Sequence, residues 1–90
     1  MKNYLKIVKI DGDLMTPKYK QLADAILKGV KEETILDGEN LPSLHDFSIA
    51  LDVSKNTIEK AYNTLKKHGV VSSYKGKGYF ILTEKIRRQA

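Results

Sequence analysis

The sequence predicts an α+β fold, mainly α, in which three helices form the core and a two-stranded hairpin follows them. Two observations carry this. Serine-headed helix starts at Ser43 and Ser54 lie eleven residues apart, each ahead of apolar residues at steps of three and four. Two strand-like runs then flank the basic, glycine-containing stretch Lys75-Gly76-Lys77-Gly78. Ninety residues without a cysteine make one domain, near the lower limit for a core that uses neither disulfides nor metal.

In chain order, Leu5, Ile7, Val8 and Ile10 form a β-branched run ended by the turn signal Asp11-Gly12-Asp13, which reads as a short N-terminal strand. Residues 1–16 are thus an arm ahead of the domain. Pro17 suits a first-turn position, Thr16 is an acceptable N-cap, and Tyr19, Leu22, Ala23, Ile26, Leu27 and Val30 form one apolar stripe. The first helix is expected from Pro17 to Glu33. Asp37-Gly38-Glu39-Asn40 is a turn, and Leu41 before Pro42 must be extended. Ser43 caps the second helix, with Asp46 either reaching back or favouring the positive helix end, and Leu44, Phe47, Ala50 and Leu51 as its buried side. Asp52-Val53 ends it. Ser54 caps the third helix, whose stripe is Ile58, Ala61, Tyr62 and Leu65, and Gly69 stops it in a left-handed conformation. The runs 70–74 and 79–82 form the hairpin, with glycine supplying positive φ at its turn. Two helices joined by a short turn, a third behind them and a hairpin after them make a winged helix-turn-helix over residues 17–82.

The net charge is +5, and its placement is informative. Residues 1–42 hold seven lysines and seven acids, whereas 43–90 hold nine cations against four acids. A one-sided basic surface is the footprint of a polyanion binder, although charge alone fits a solvated basic face equally well. Lys2, Lys6 and Lys9 interrupt the N-terminal apolar residues, so no signal-peptide or membrane-spanning stretch is present there, and a soluble cytoplasmic protein is expected. Catalysis finds little support: His45 and His68 have no neighbouring nucleophile and no ligand spacing, so neither metal nor cofactor is expected. Tyr19 and Tyr62, at helical spacing, read as core.

Facing away from the third helix's apolar stripe are Lys55, Asn56, Glu59, Lys60, Asn63, Lys66 and Lys67. Such a helix enters a DNA major groove with its first turns. Asn56 matches adenine, Lys55 and Lys60 reach guanine acceptors or phosphates, and Thr57 uses its hydroxyl or its methyl. Glu59 either accepts from cytosine N4 or pairs with Lys55 four residues earlier. Ser43 and the amides behind it can dock a phosphate or serve as an ordinary cap. Lys75 and Lys77, unhindered by Gly76 and Gly78, can lie along a minor groove.

These residues together resemble the DNA-binding domain of the GntR family of bacterial transcription regulators over about Pro17 to Leu82. The resemblance rests on Pro17, Tyr19 and Gln21, on Leu41-Pro42-Ser43, on Val53-Ser54-Lys55-Asn56-Thr57-Ile58, on Ala61, Leu65 and Gly69, and on Gly76-Lys77-Gly78-Tyr79-Phe80. Asn56-Thr57 followed by Lys60-Ala61-Tyr62 is most similar to the YtrA-type branch. The resemblance implies a sequence-specific regulator, a repressor by expectation, that binds a palindromic double-stranded operator as a dimer. Its DNA contacts would come from Ser43 and His45, from Ser54 to Asn63 on the recognition helix, and from the wing tip. Residues 83–90 would begin a linker to an effector or dimerisation domain, and a small-molecule effector is implied only with such a domain. The family usually has arginine where this chain has His45, and often where it has Glu59. The rival readings are a winged-helix protein-interaction module that meets an acidic partner, and sequence-indifferent binding of nucleic acid.

Overall fold

The amphipathic spacing of the first two-thirds of the chain becomes three helices in a computed structural model, which describes residues 4–74 and 78–82. They are α1 (Lys18–Lys31), α2 (Leu44–Leu51) and α3 (Lys55–Lys67), followed by strands β1 (Val71–Tyr74) and β2 (Gly78–Ile81). The strands pair antiparallel, with Val71 opposite Ile81 and Tyr74 opposite Gly78. Gly78 has φ +71°, which glycine adopts without steric cost. Lys75, Gly76 and Lys77 at the expected wing tip lie outside the described residues, as do residues 83–90.

The expected N-terminal strand is not formed. Tyr4–Lys6 is instead a single 3-10 turn, in which the amides of Ile7 and Val8 both donate to the Tyr4 carbonyl at 3.0 and 2.7 Å. Those two amides are used within the turn and offer no ladder to a partner strand, while Tyr4 and Val8 are both buried in the core.

Helix α1 starts and stops slightly inside its expected limits. Pro17 occupies the cap position itself, and no side chain caps the helix. Thr16 is therefore not the N-cap; its carbonyl accepts from Gln21 Nε2 at 2.8 Å. The same amide group exchanges two hydrogen bonds with the Asp11 backbone, at 2.8 and 3.0 Å, tying the turn at Asp11 to the helix. At the other end Glu33 turns left-handed, and the Gly29 carbonyl accepts from the amides of both Thr34 and Ile35.

Helix α2 buries less than expected. Phe47 is its fully buried residue, Leu44 and Leu51 are half-buried, and Ala50 is exposed. A two-turn helix that crosses α3 reaches the core at one point. Asp52 ends it at φ +55°, and three residues later α3 begins. Gly69, at φ +75°, terminates α3 and turns the chain into the hairpin, as expected.

A third edge extends the hairpin. Asn40 bridges to Phe80, Leu41 N–H donates to the Tyr79 carbonyl and Ile81 N–H donates to the Glu39 carbonyl, both at 2.9 Å. The core is made of Leu22, Ala23, Ile26 and Val30 of α1, Phe47 of α2, Ile58, Ala61, Tyr62 and Leu65 of α3, Val70, Val71 and Ile81 at the hairpin, and Tyr4, Val8, Ile35 and Leu41 from the segments between them and before them.

Candidate nucleic-acid interface

The outer face of α3 follows from what its inner face buries. With Ile58, Ala61, Tyr62 and Leu65 buried, the helical period turns Asn56, Asn63 and Lys67 directly outward. Lys55, Glu59 and Lys66 form one flank. The wing lies beside it, because Lys66 Nζ donates to Ser73 Oγ of β1 at 3.1 Å. Lys60 and Thr64 form the other flank, next to α1, where Lys60 Nζ sits over the Tyr19 ring at 4.2 Å from its centroid. Tyr19 is thus half-buried and engaged with a cation rather than wholly in the core. An open groove of about 470 Å³ runs along this face, lined by Tyr19, Asn56, Glu59, Lys60, Asn63, Thr64 and Lys67.

Both helices of the pair are capped by the serines expected to cap them. Ser43 Oγ accepts from Asp46 N–H at 3.0 Å, and Ser54 Oγ accepts from Thr57 N–H at 3.1 Å. Ser54 Oγ also lies 2.9 Å from Thr57 Oγ1, so the two hydroxyls share a hydrogen bond. His45 is exposed in the first turn of α2. Lys55, Asn56, Glu59, Lys60 and Asn63 are exposed and Thr57 is half-buried, so the structure brings Ser54 to Asn63 onto one end of one helix. No ion pair joins Lys55 to Glu59 among the described residues, where Lys28–Glu32 on α1 is the exposed pair.

What sequence reasoning missed lies behind the face. Tyr62 Oη donates to the Pro42 carbonyl at 2.8 Å, joining the buried side of α3 to the residue before the cap of α2. Burial, and then the charge of Tyr4 and Tyr79 nearby, push the Tyr62 phenol well above its ordinary value. Tyr4 Oη donates to Glu39 Oε2, and burial, this hydrogen bond and the Glu39 charge raise its pKa as well. Neither link joins residues near in sequence, so no local pattern announces them. Among the described residues no group of three or more His, Cys, Asp or Glu side chains is placed to hold a metal ion, and no helix is long and apolar enough to cross a membrane.

Residues 18–81 match the family model described as bacterial regulatory proteins of the gntR family. The chain belongs to the GntR family. Among its relatives is the uncharacterised HTH-type transcriptional regulator YhcF of Bacillus subtilis, 35% identical over 65 residues, covering 72% of this chain and 54% of that protein. The HTH-type transcriptional repressor YtrA of the same organism is 27% identical over 75 residues, covering 83% and 58%. The chain therefore spans little more than half the length of these two relatives. YtrA from Sulfolobus acidocaldarius, a GntR-family transcription factor, has the same fold at a TM-score of 0.80 with 31% identity, covering 92% of this chain and 90% of that one. The AraR DNA-binding domain in complex with operator ORX1 superposes at 0.72 with 30% identity, covering 81% and 92%. These matches bear out the winged helix-turn-helix of the GntR type and the likeness to YtrA.

Proposed function

We propose that this GntR-family chain is a sequence-specific double-stranded DNA-binding module of a transcription regulator. The observation that carries the reading is the exposed strip of amides and cations on α3, set on a helix whose first turn is capped by Ser54 and whose back is buried. That AraR's DNA-binding domain, a relative of the same fold, is titled as an operator complex supports it. In this reading α3 enters the major groove, Asn56 pairs with adenine, and Lys55 takes guanine or a phosphate. Glu59, unpaired with Lys55, accepts from cytosine N4. Thr57 shares its hydroxyl with Ser54, so its methyl is what it offers to thymine. Ser43 and Ser54 spend their hydroxyls on caps and serve by holding helix N-termini toward phosphates, with His45 beside the first of them. The wing, from Lys75 to Gly78, reaches the neighbouring minor groove.

The reading extends to a cytoplasmic, non-enzymatic repressor that needs no cofactor and acts as a dimer on a palindromic operator, with half-sites about 34 Å apart. An effector would act through a further domain. Selection of bound duplexes from a random pool tests it: a palindromic consensus is expected, and log affinity against log salt should slope near about −5 if roughly six phosphates are engaged. Asn56→Ala should relax preference at one base position at a cost of about 1–3 kcal/mol. Equal binding to every duplex, or an affinity indifferent to salt, would refute the reading.

A further inference from the structure

We infer that Tyr19 is a positioning residue for DNA binding that acts through Lys60, fixing its ammonium group against the phosphate wall of the major groove on the side away from the wing. The inference rests on the functional reading above and adds a residue that lies on α1, outside the helix-turn-helix pair.

Three observations lead to it. The Lys60 ammonium lies 4.2 Å from the centroid of the Tyr19 ring, well inside the range at which the ring quadrupole attracts a cation. Tyr19 is half-buried and packed against the core, so the ring is a fixed platform, whereas Lys60 stands on an exposed helix face and has a long flexible stem. The contact therefore orders the lysine and not the tyrosine. Thirdly, the flanks of α3 are not equivalent: Lys66 reaches Ser73 on the wing side, while Lys60 faces α1.

A helix about 10–12 Å across fills a major groove about 12 Å wide. Its outermost strip then meets base edges, and a long side chain drawn off that strip to one side, as Lys60 is toward α1, meets the sugar-phosphate wall there. Lys60 on the α1 flank consequently meets a phosphate, and the choice between guanine and phosphate left open by its residue type is decided by its place. A lysine already held at the wall loses less side-chain freedom when the phosphate arrives. Tyr19 thus strengthens binding without touching a base, and its effect is the same for every sequence.

The test is a double-mutant cycle on the full chain, with affinity measured by fluorescence anisotropy on a selected duplex and on a scrambled one at several salt concentrations. Lys60→Ala should weaken both duplexes by the same factor and reduce the salt slope by about one. Tyr19→Leu should weaken both about two- to fivefold, as expected for loss of an exposed cation–π contact. Tyr19→Phe, which keeps the ring face, should bind like the parent chain. In the Lys60→Ala background Tyr19→Leu should cost nothing further. Active fractions from stoichiometric titration correct each affinity for any loss of folded protein. An equal loss from Tyr19→Leu with or without Lys60 would overturn the positioning role, and a Lys60→Ala loss confined to the selected duplex would overturn the phosphate assignment. Failure of the parent chain to bind either duplex would instead sink the functional reading itself.

Discussion

Replacing Tyr62 by Phe removes one oxygen from a fully buried side chain. The ring is 0% exposed, lies 6.3 Å from the Phe47 ring and 4.7 Å from the Tyr79 ring, and donates through its hydroxyl to the Pro42 carbonyl at 2.8 Å. Phenylalanine keeps both ring contacts and leaves the carbonyl of a buried proline without this donor. A buried acceptor stripped of its partner costs about 1–3 kcal/mol, and with the ring retained the lower half of that range, about 1.5 kcal/mol, is expected. For a domain of this size that lowers Tm by about 6–12 °C. It lowers the urea midpoint by about 1 M if the slope is roughly 1.5 kcal/mol/M. Urea unfolding followed by circular dichroism checks this, with an unchanged slope as the control that the unfolded state is the same. A midpoint equal to that of the parent chain would show that the Tyr62–Pro42 hydrogen bond contributes nothing net and that α2 is seated by ring packing alone.

Alkaline pH should act through the same residue. With the folded pKa of Tyr62 raised above an unfolded value near 10, its contribution is fully present below pH 10 and is lost as pH rises, at about 1.4 kcal/mol per pH unit, with Tyr4 acting in the same direction. Tyrosinate absorbance should therefore show these two phenols ionising only as the domain unfolds, and a single smooth titration of all five tyrosines would contradict it. Gly29→Ala should destabilise α1 although alanine is the better helix former: a Cβ there would lie 2.7 Å from Ile35 Cδ1 and 3.0 Å from its Cγ1. Overpacking of about 1–3 kcal/mol outweighs a propensity gain of about 1 kcal/mol, and a raised unfolding midpoint would show that Ile35 yields freely. At Asp52, with φ +55°, Asn or Gly should leave the midpoint nearly unchanged, while Ala should cost about 1 kcal/mol and Val more. Equal midpoints for all four variants would mean that the left-handed turn is not retained.

What the sequence made legible is what local rules govern. Ser43 and Ser54 declared the two helix starts, Gly69 the end of α3, and the steps of three and four its buried side. The polar face of α3 was readable for the same reason, since knowing which residues a helix buries tells which it exposes. The β-branched run at 5–10 misled, because composition favoured a strand while the amides of Ile7 and Val8 bond back to the Tyr4 carbonyl and not to a partner strand. Glu39 to Leu41 could not be seen as an edge: the segment is too short to alternate, and its hydrogen bonds go to Tyr79 and Ile81 some forty residues on. The partnership of Tyr19 with Lys60 escaped likewise, because each residue taken alone had an adequate local reading, core for one and a contact to guanine or phosphate for the other.

The three parts proposed to meet DNA are held in register by one row of rings. Tyr4 meets Phe47 edge-on at 5.7 Å, Phe47 meets Tyr62 at 6.3 Å, and Tyr62 meets Tyr79 at 4.7 Å, so the row passes from the N-terminal turn through α2 and α3 to β2. Each contact of this kind is worth about 0.5–1.5 kcal/mol beyond the area it buries. The more important consequence is geometric. Helix α2 offers the core Phe47 as its one fully buried side chain, so its orientation is set by what grips that ring, and Tyr4 and Tyr62 grip it from two directions. Tyr62 also holds Pro42, just before the Ser43 cap, while Tyr4 Oη holds Glu39 and donates to the Asn40 carbonyl at 3.3 Å, beside the strand that carries the wing. The start of α2, α3 and the hairpin are therefore placed relative to one another by two tyrosines whose hydroxyls and rings work together. The arm before Pro17 is then structurally part of the winged helix-turn-helix unit, because without Tyr4 the α2 end of the row has one grip on Phe47 instead of two.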